Sequence, residues 1–196
     1  MSRYPQVRFL KSADSAAAFG DDSGAEVAFA GRSNSGKSSA LNAIIRRNDL
    51  ARTSKTPGRT QLVNLFELAP GRRLADLPGY GFARVPPAMR ADWKRLMEAY
   101  FTTRDSLAGL MLVVDVRRGF GDSDETMLEY AAARGRAVHV LLTKADKLGR
   151  NEGRSTLQKV RAQLGDRATV QLFSAESGEG VDGAQGAMEA LLAGRR

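Results

Sequence analysis

The eight residues Gly31-Arg32-Ser33-Asn34-Ser35-Gly36-Lys37-Ser38 constrain this chain more than any other stretch. They fit the pattern G-x-x-x-x-G-K-[ST]. In that pattern glycines let the backbone close round a phosphate, while loop N–H groups and the following helix N-terminus point at the anion. The lysine reaches the outer phosphates, and the final hydroxyl, here Ser38, is placed to ligate Mg²⁺. The surroundings agree. Residues 26–30 form a short apolar strand candidate, and residues 39–45 read as a helix with Leu41, Ile44 and Ile45 on one face.

From Glu26 onward the pattern alternates. Apolar runs of strand length occur at 62–68, 74–77, 109–116, 138–143 and 170–173, and helical spacing at 86–101, 124–134, 154–164 and 184–192. Strands alternating with helices of this length predict an α/β fold of three layers, with a mainly parallel sheet and helices on both faces. The runs 62–68 and 74–77 flank Ala69-Pro70-Gly71-Arg72, a turn signal, so one antiparallel hairpin strand is expected there. Residues 1–25, with a strand candidate at 6–10, read as an edge strand and a loop. The 196 residues suit one domain, with the core from about residue 26.

Composition excludes several chemistries. The chain has no cysteine, which removes disulfides, zinc–thiolate sites and thiol catalysis, and fits a reducing, cytoplasmic setting. Its one histidine, His139, sits in the apolar run 137–142 and reads as a strand residue rather than a catalytic one. No apolar run approaches bilayer length, and no signal peptide stands at the N-terminus. Net charge is +8, which favours polyanionic partners, nucleic acid before membrane. Between Leu41 and Ala75, Arg46, Arg47, Arg52, Lys55, Arg59, Arg72 and Arg73 face only Asp49 and Glu67. Of these, Arg46, Arg47, Arg52, Lys55 and Arg59 form the expected basic face, and Arg84, Arg90, Lys94, Arg95 and Arg104 extend it. Trp93, at helical spacing with Leu96, Met97 and Tyr100, reads as core.

Two further stretches complete a nucleotide site. Asp76-Leu77-Pro78-Gly79 ends a strand run, where an Asp can hold Mg²⁺ through water and a Gly N–H can sense the terminal phosphate. Thr143-Lys144-Ala145-Asp146 follows a core strand. A carboxylate at Asp146 can accept both hydrogen bonds from the N1–H and N2–H₂ edge of guanine, a donor pair that adenine lacks. The Lys144 stem can lie along the base plane. Ser174-Ala175, after the last strand, falls in order to close over the base.

Together these stretches resemble the translation-associated GTPases of the TrmE–Era–EngA–EngB superfamily, and within it the EngB family of bacterial ribosome-biogenesis GTPases. The residues that carry the resemblance are 31–39, 51–61, 76–83, 143–147 and 173–175. It departs mildly at Ser35, where the family often has a small apolar residue, and at Ala40, where Leu is common. The resemblance implies a P-loop GTPase fold and a GTP/GDP switch in assembly of the large ribosomal subunit, linked to cell division and septation. It assigns phosphate binding to 31–38. It gives the first switch to Gly58, Arg59, Thr60, Gln61 and Leu62, with Thr60 joining Ser38 on Mg²⁺ and Thr56 an alternative by chemistry. It gives the second switch to 76–79, the base to 143–146, and the closing loop to Phe173, Ser174 and Ala175.

Lys37, Thr60 and Asn34 are the expected catalytic residues. Many GTPases place a water-orienting Gln after the Asp-x-x-Gly; Tyr80 stands there and cannot act the same way, so slow intrinsic turnover is expected. A partner could supply the missing help. So could K⁺, since Asn34 occupies the position that coordinates it in some relatives. The expected partner is the large subunit and its rRNA, met through the basic face near the first switch, by a monomer without membrane contact. The alternative is a GTP-dependent rRNA-binding module with negligible hydrolysis until its partner stimulates it. An ATP-using P-loop kinase would need an acceptor site and another base reader, and neither is present.

Overall fold

The computed structural model describes residues 3–51, 62–81 and 86–194. Its frame is one seven-stranded sheet built from β1 (Arg8–Ala13), β2 (Ala25–Gly31), β3 (Val63–Ala69), β4 (Arg72–Asp76), β5 (Leu107–Asp115), β6 (Ala137–Thr143) and β7 (Thr169–Leu172). The spatial order is β1-β3-β4-β2-β5-β6-β7. β3 alone runs against the rest, pairing antiparallel with both β1 and β4, while β4-β2-β5-β6-β7 are parallel. Five helices follow: α1 (Lys37–Ile45), α2 (Pro87–Thr103), α3 (Asp122–Ala133), α4 (Arg150–Leu164) and α5 (Val181–Leu192). The expected α/β class, hairpin and edge position of the first strand all hold. That first strand starts two residues later than the sequence suggested and ends at Ala13.

The strands are apolar on both sides because both faces are covered. On one face, Ala28, Leu112, Val114, Val140 and Leu142 meet Met97 and Phe101 of α2, Met127 and Leu128 of α3, and Val160 and Leu164 of α4. On the other, Val27, Phe29, Met111, Val113 and Leu141 meet Leu41, Ile44 and Ile45 of α1 and Met188 and Leu192 of α5. Alternate residues of β2 thus feed opposite layers, as a period of two requires. β1 is exposed over most of its length. A bulge between Phe9 and Lys11 and the basic Arg8 and Lys11 interrupt its free edge, the usual guard against further strand pairing.

The end of the sheet where β2 and β4 begin holds a buried charge cluster. Glu26 is fully buried and accepts from Arg104 Nη2 at 2.8 Å, Arg104 Nε at 3.0 Å and Tyr100 Oη at 2.6 Å. Arg73 Nε approaches it at 3.4 Å, and Arg73 Nη1 also pairs with Asp21 at 2.9 Å. Arg72 pairs with Glu189 at 2.5 Å. This corrects the expectation for Arg104, whose charge is neutralised inside the fold, at the end of the sheet away from the phosphate loop. Arg73 is buried with it, and Arg72, half-buried, is paired at the same end. The sequence count could not see that, because the compensating Glu26 and Glu189 lie far away along the chain.

Candidate functional site

The C-terminal ends of β2, β4, β5, β6 and β7 face the same way, and the loops that leave them meet at one edge. β2 is central, with β4 on one side and β5 on the other, so its exit is the point where the chain's crossovers diverge and a crevice opens. The loop 31–38 leaves β2 there. Gly31 is packed so closely that a Cβ would come within 2.6 Å of Ser35 Oγ and 2.7 Å of the Val113 carbonyl. Gly36 caps α1 with φ +90°, a conformation that suits glycine. The first hydrogen bond at this end of α1 runs from Ala40 N to Gly36 O at 2.8 Å. The N–H groups of Lys37, Ser38 and Ser39 before it have no helical acceptor and form the positive end of the helix.

Lys37 Nζ is ion-paired with Asp76 Oδ1, joining the phosphate loop to the last residue of β4. Both side chains are largely buried. Leu77 N donates to Phe29 O at 2.9 Å and Ser33 N to Tyr80 O at 2.9 Å, so the stretch 76–80 is stitched along the phosphate loop. Ser33 Oγ and Ser35 Oγ are buried in this loop, without a hydrogen-bond partner among the described residues.

The stretch 143–146 is fixed from three sides. The Thr143 hydroxyl lies against the carbonyls of Ser35 and Val114. Lys144, in the left-handed region at φ +59°, crosses the phosphate loop and donates to Asn34 O at 2.6 Å and to Asp115 Oδ2 at 2.9 Å. Its stem passes over Gly36, where a Cβ would lie 3.7 Å from Lys144 Cε. Ala145 N donates to Phe173 O at 3.1 Å, and the buried Ser174 hydroxyl donates to Asp146 Oδ1 at 2.6 Å. Asp146 is paired with Lys147 at 2.9 Å, its side chain 17% exposed, and the Ser174 hydrogen bond leads in holding its carboxyl below the usual range. An ionised and oriented carboxylate is what a guanine edge requires. Ala175 is exposed beside it.

The structure therefore brings together 31–38, 76–79, 143–146 and 173–175. Leu62 is half-buried just before β3. Gly58, Arg59, Thr60 and Gln61, with Thr56, Arg52, Lys55 and Arg84, lie outside the described residues. Arg46, at the far end of α1, pairs with Asp182 at 2.8 Å. Trp93 is half-buried against the core, with Nε1 donating to Pro78 O at 3.2 Å.

Residues that sequence reasoning missed tie these loops to the fold. Asp115 is buried at the end of β5. Burial works to raise its carboxyl, but hydrogen bonds from Arg117 and Lys144 outweigh that and hold it well below the carboxylate range. A carboxylate closing an apolar strand, as Asp76 does, was the available signal. Asp124 is fully buried, accepting from Tyr80 Oη at 2.8 Å and Gly121 N at 3.0 Å, and pairing with Arg32 at 3.1 Å. Burial pushes its carboxyl up and the Tyr80 hydroxyl well up. In the sequence Asp124 looks like a helix-start residue, and nothing local marks its link to Arg32 and Tyr80.

Among the described residues no group of three or more acidic or histidine side chains gathers as a metal cage. The Ser38 hydroxyl and Asp76 carboxylate are hard oxygen donors at the phosphate end, which fits Mg²⁺ held by few protein groups together with phosphates and water. Such an ion would neutralise charge on the phosphate oxygens.

A family model described as 50S ribosome-binding GTPase matches residues 26–144. The chain is 54% identical over 185 residues to a probable GTP-binding protein EngB of Xanthomonas campestris, spanning 92% of this chain and 89% of that one. It is 51% identical over 191 residues to the protein of the same name in Stenotrophomonas maltophilia, spanning 95% and 96%. A crystal structure of a probable GTP-binding protein engB matches with a TM-score of 0.70 at 20% identity, over 87% of this chain and 100% of that one. The selenocysteine-specific elongation factor EF-Sec matches at 0.63 and 20% identity, over 89% and 29%. At those identities the structural likeness speaks for the fold alone.

Proposed function

The chain belongs to the EngB family of P-loop GTPases, and from that premise we propose that it is a cytoplasmic nucleotide switch in assembly of the large ribosomal subunit, linked to cell division and septation. GTP binds with its phosphates in 31–38 and its base on Asp146. Ser38 and Thr60 are the protein's Mg²⁺ ligands. The observation that carries this reading is the Ser174–Asp146 hydrogen bond, which presents an ionised carboxylate beside a phosphate loop whose helix N-terminus is open.

Lys37 reaches the outer phosphates by leaving Asp76, so the ion pair between them is exchanged as the nucleotide binds. That exchange couples the phosphate loop to 76–79 and gives the switch its mechanical link. Hydrolysis on its own is slow, because the Tyr80 hydroxyl is committed to Asp124 and leaves no water-orienting group in its place. The same observation favours a second reading, in which the protein is a GTP-dependent binding module that hydrolyses negligibly until its ribosomal partner supplies the missing group.

The partner in both readings is the large subunit, as the matching family model's description has it for that family. The basic residues near the first switch contribute, and K⁺ at Asn34 adds positive charge to the phosphate site. GTP turnover measured with and without purified large subunits, in K⁺ and in Na⁺, tests all of this. Stimulation by subunits from a slow but measurable basal rate supports the switch, and a basal rate indistinguishable from uncatalysed hydrolysis supports the module. Binding of neither GTP nor subunits overturns both, and equal rates in the two salts remove the K⁺ site.

A further inference from the structure

We propose that α4 presents a phosphate-binding row, formed by Arg150, Arg154 and Arg161, that docks on an RNA backbone. The choice of RNA rests on the ribosomal reading above; the existence of the row does not. At 100° per residue these three side chains fall within about 40° of arc and extend about 16 Å along the helix. α4 buries Gly153, Val160 and Leu164, with Leu157 packed beside them, so the row runs along the flank of a helix whose inner face is committed to the fold. Lys159, also exposed, lies on the far side of the helix beside Glu152, the one carboxylate on the helix, and outside the row.

Two observations bear on this row. Several exposed cations elsewhere have acidic partners: Arg95 with Asp92, Lys94 with Glu98, Arg167 with Glu125 and Arg46 with Asp182. Arg150, Arg154 and Arg161 have none among the described residues, although all three are exposed. Moreover, Arg150 is the first residue of α4, where the helix dipole disfavours a cation. A charge placed against the local rule, on an exposed helix and without a partner, is not there for stability.

The chemistry of the outer face selects the kind of polyanion. Asn151, Ser155 and Gln158 are exposed there, polar groups that can hydrogen-bond phosphate and sugar oxygens. An amphipathic helix that enters a lipid surface needs an exposed apolar face, and the apolar side of α4 is already packed inward. α4 also begins just after the base-reading stretch 143–146, which places the row on the segment that leads away from the nucleotide.

The test compares the full-length wild type with the triple variant R150Q/R154Q/R161Q. The probes are purified large subunits by co-sedimentation, a short protein-free RNA duplex by fluorescence anisotropy, and phosphatidylglycerol–phosphatidylcholine vesicles. Fluorescent GDP titration establishes that the variant is folded. We expect the variant to bind RNA and subunits at least tenfold more weakly near physiological salt. Its plot of log affinity against log salt should be shallower by about 2 to 3, as loss of three phosphate contacts requires. Unchanged RNA and subunit binding in a variant that still binds GDP overturns the row and leaves the ribosomal reading standing. Wild type that binds RNA through the row but not subunits keeps the row and sinks that reading. Arginine-dependent binding to vesicles without binding to RNA overturns the proposal in favour of a lipid surface.

Discussion

The Tyr80 hydroxyl donates to Asp124 Oδ1 at 2.8 Å, joining the residue after the second switch motif to the first turn of α3. Arg32 of the phosphate loop reaches the other oxygen of the same carboxylate. The phosphate loop and the loop after β4 are therefore moored to one buried acid, and the side chain at position 80 points into the protein. Removing the hydroxyl in Tyr80→Phe should cost about 1–2 kcal/mol of stability in urea unfolding and speed amide exchange over 77–81. Tyr80→Gln should leave basal GTP turnover within about threefold of wild type, because a glutamine there inherits the buried direction. A tenfold rise would show that the position faces the phosphates after all.

Asp146 should decide between bases. Asp146→Asn exchanges two acceptors for an amide and loses the charged hydrogen bonds to the guanine edge, each worth about 1.5–3 kcal/mol. Affinity for fluorescent GDP should fall by a hundredfold or more, while affinity for xanthosine diphosphate, which carries a carbonyl where guanine has its amino group, should rise. Retained GDP affinity would remove Asp146 from the site. Ser174→Ala takes away the leading cause of the lowered Asp146 carboxyl. A carboxyl that protonates more easily loses its ionised form at higher pH, so the acid limb of GDP binding should move upward. An unmoved limb would mean that Ser174 does not tune the base reader.

His139 offers a pH signature read without interference from another histidine, since the chain has only one. Its ring sits between Thr169 Oγ1 at 2.7 Å and Gln171 Oε1 at 3.1 Å, so Nε2–H donates to Gln171 and Nδ1 accepts from Thr169. Burial pushes the imidazole below its usual 6.5, with the Gln171 hydrogen bond opposing. The unfolded chain then takes up a proton at a higher pH than the folded one. Stability should fall as pH drops below about 6.5, with a slope of at most about 1.4 kcal/mol per pH unit, until the folded ring protonates as well. Urea midpoints for wild type and His139→Asn between neutral and mildly acidic pH measure this. A variant as pH-dependent as wild type would assign the effect elsewhere.

Arg104 and Glu26 should matter for stability and not for the nucleotide. Arg104→Ala leaves the fully buried Glu26 with Tyr100 and a long contact to Arg73, which should cost about 3–5 kcal/mol. GDP affinity of the folded variant should match wild type, since the cluster sits at the opposite end of the sheet. A large loss of GDP affinity in folded protein would show that the two ends are coupled.

Local signals made the frame legible in the sequence. The phosphate loop needs a strand before it and a helix after it. The alternation of apolar runs with helical spacing calls for a covered parallel sheet, and Pro70-Gly71 turns β3 back on β4. The stretches 76–79, 143–146 and 173–175 could be found because each follows a strand, and strand ends gather at one edge of such a sheet. What the sequence could not decide was the fate of charge. Arg104 read as surface until the fold set it against Glu26, and Asp124 read as a helix start until Arg32 and Tyr80 converged on it. A carboxylate that compensates an arginine must be near in space, but nothing requires it to be near along the chain. The pairing therefore belongs to the tertiary structure, and so does the knowledge that the three arginines along α4 were left without it.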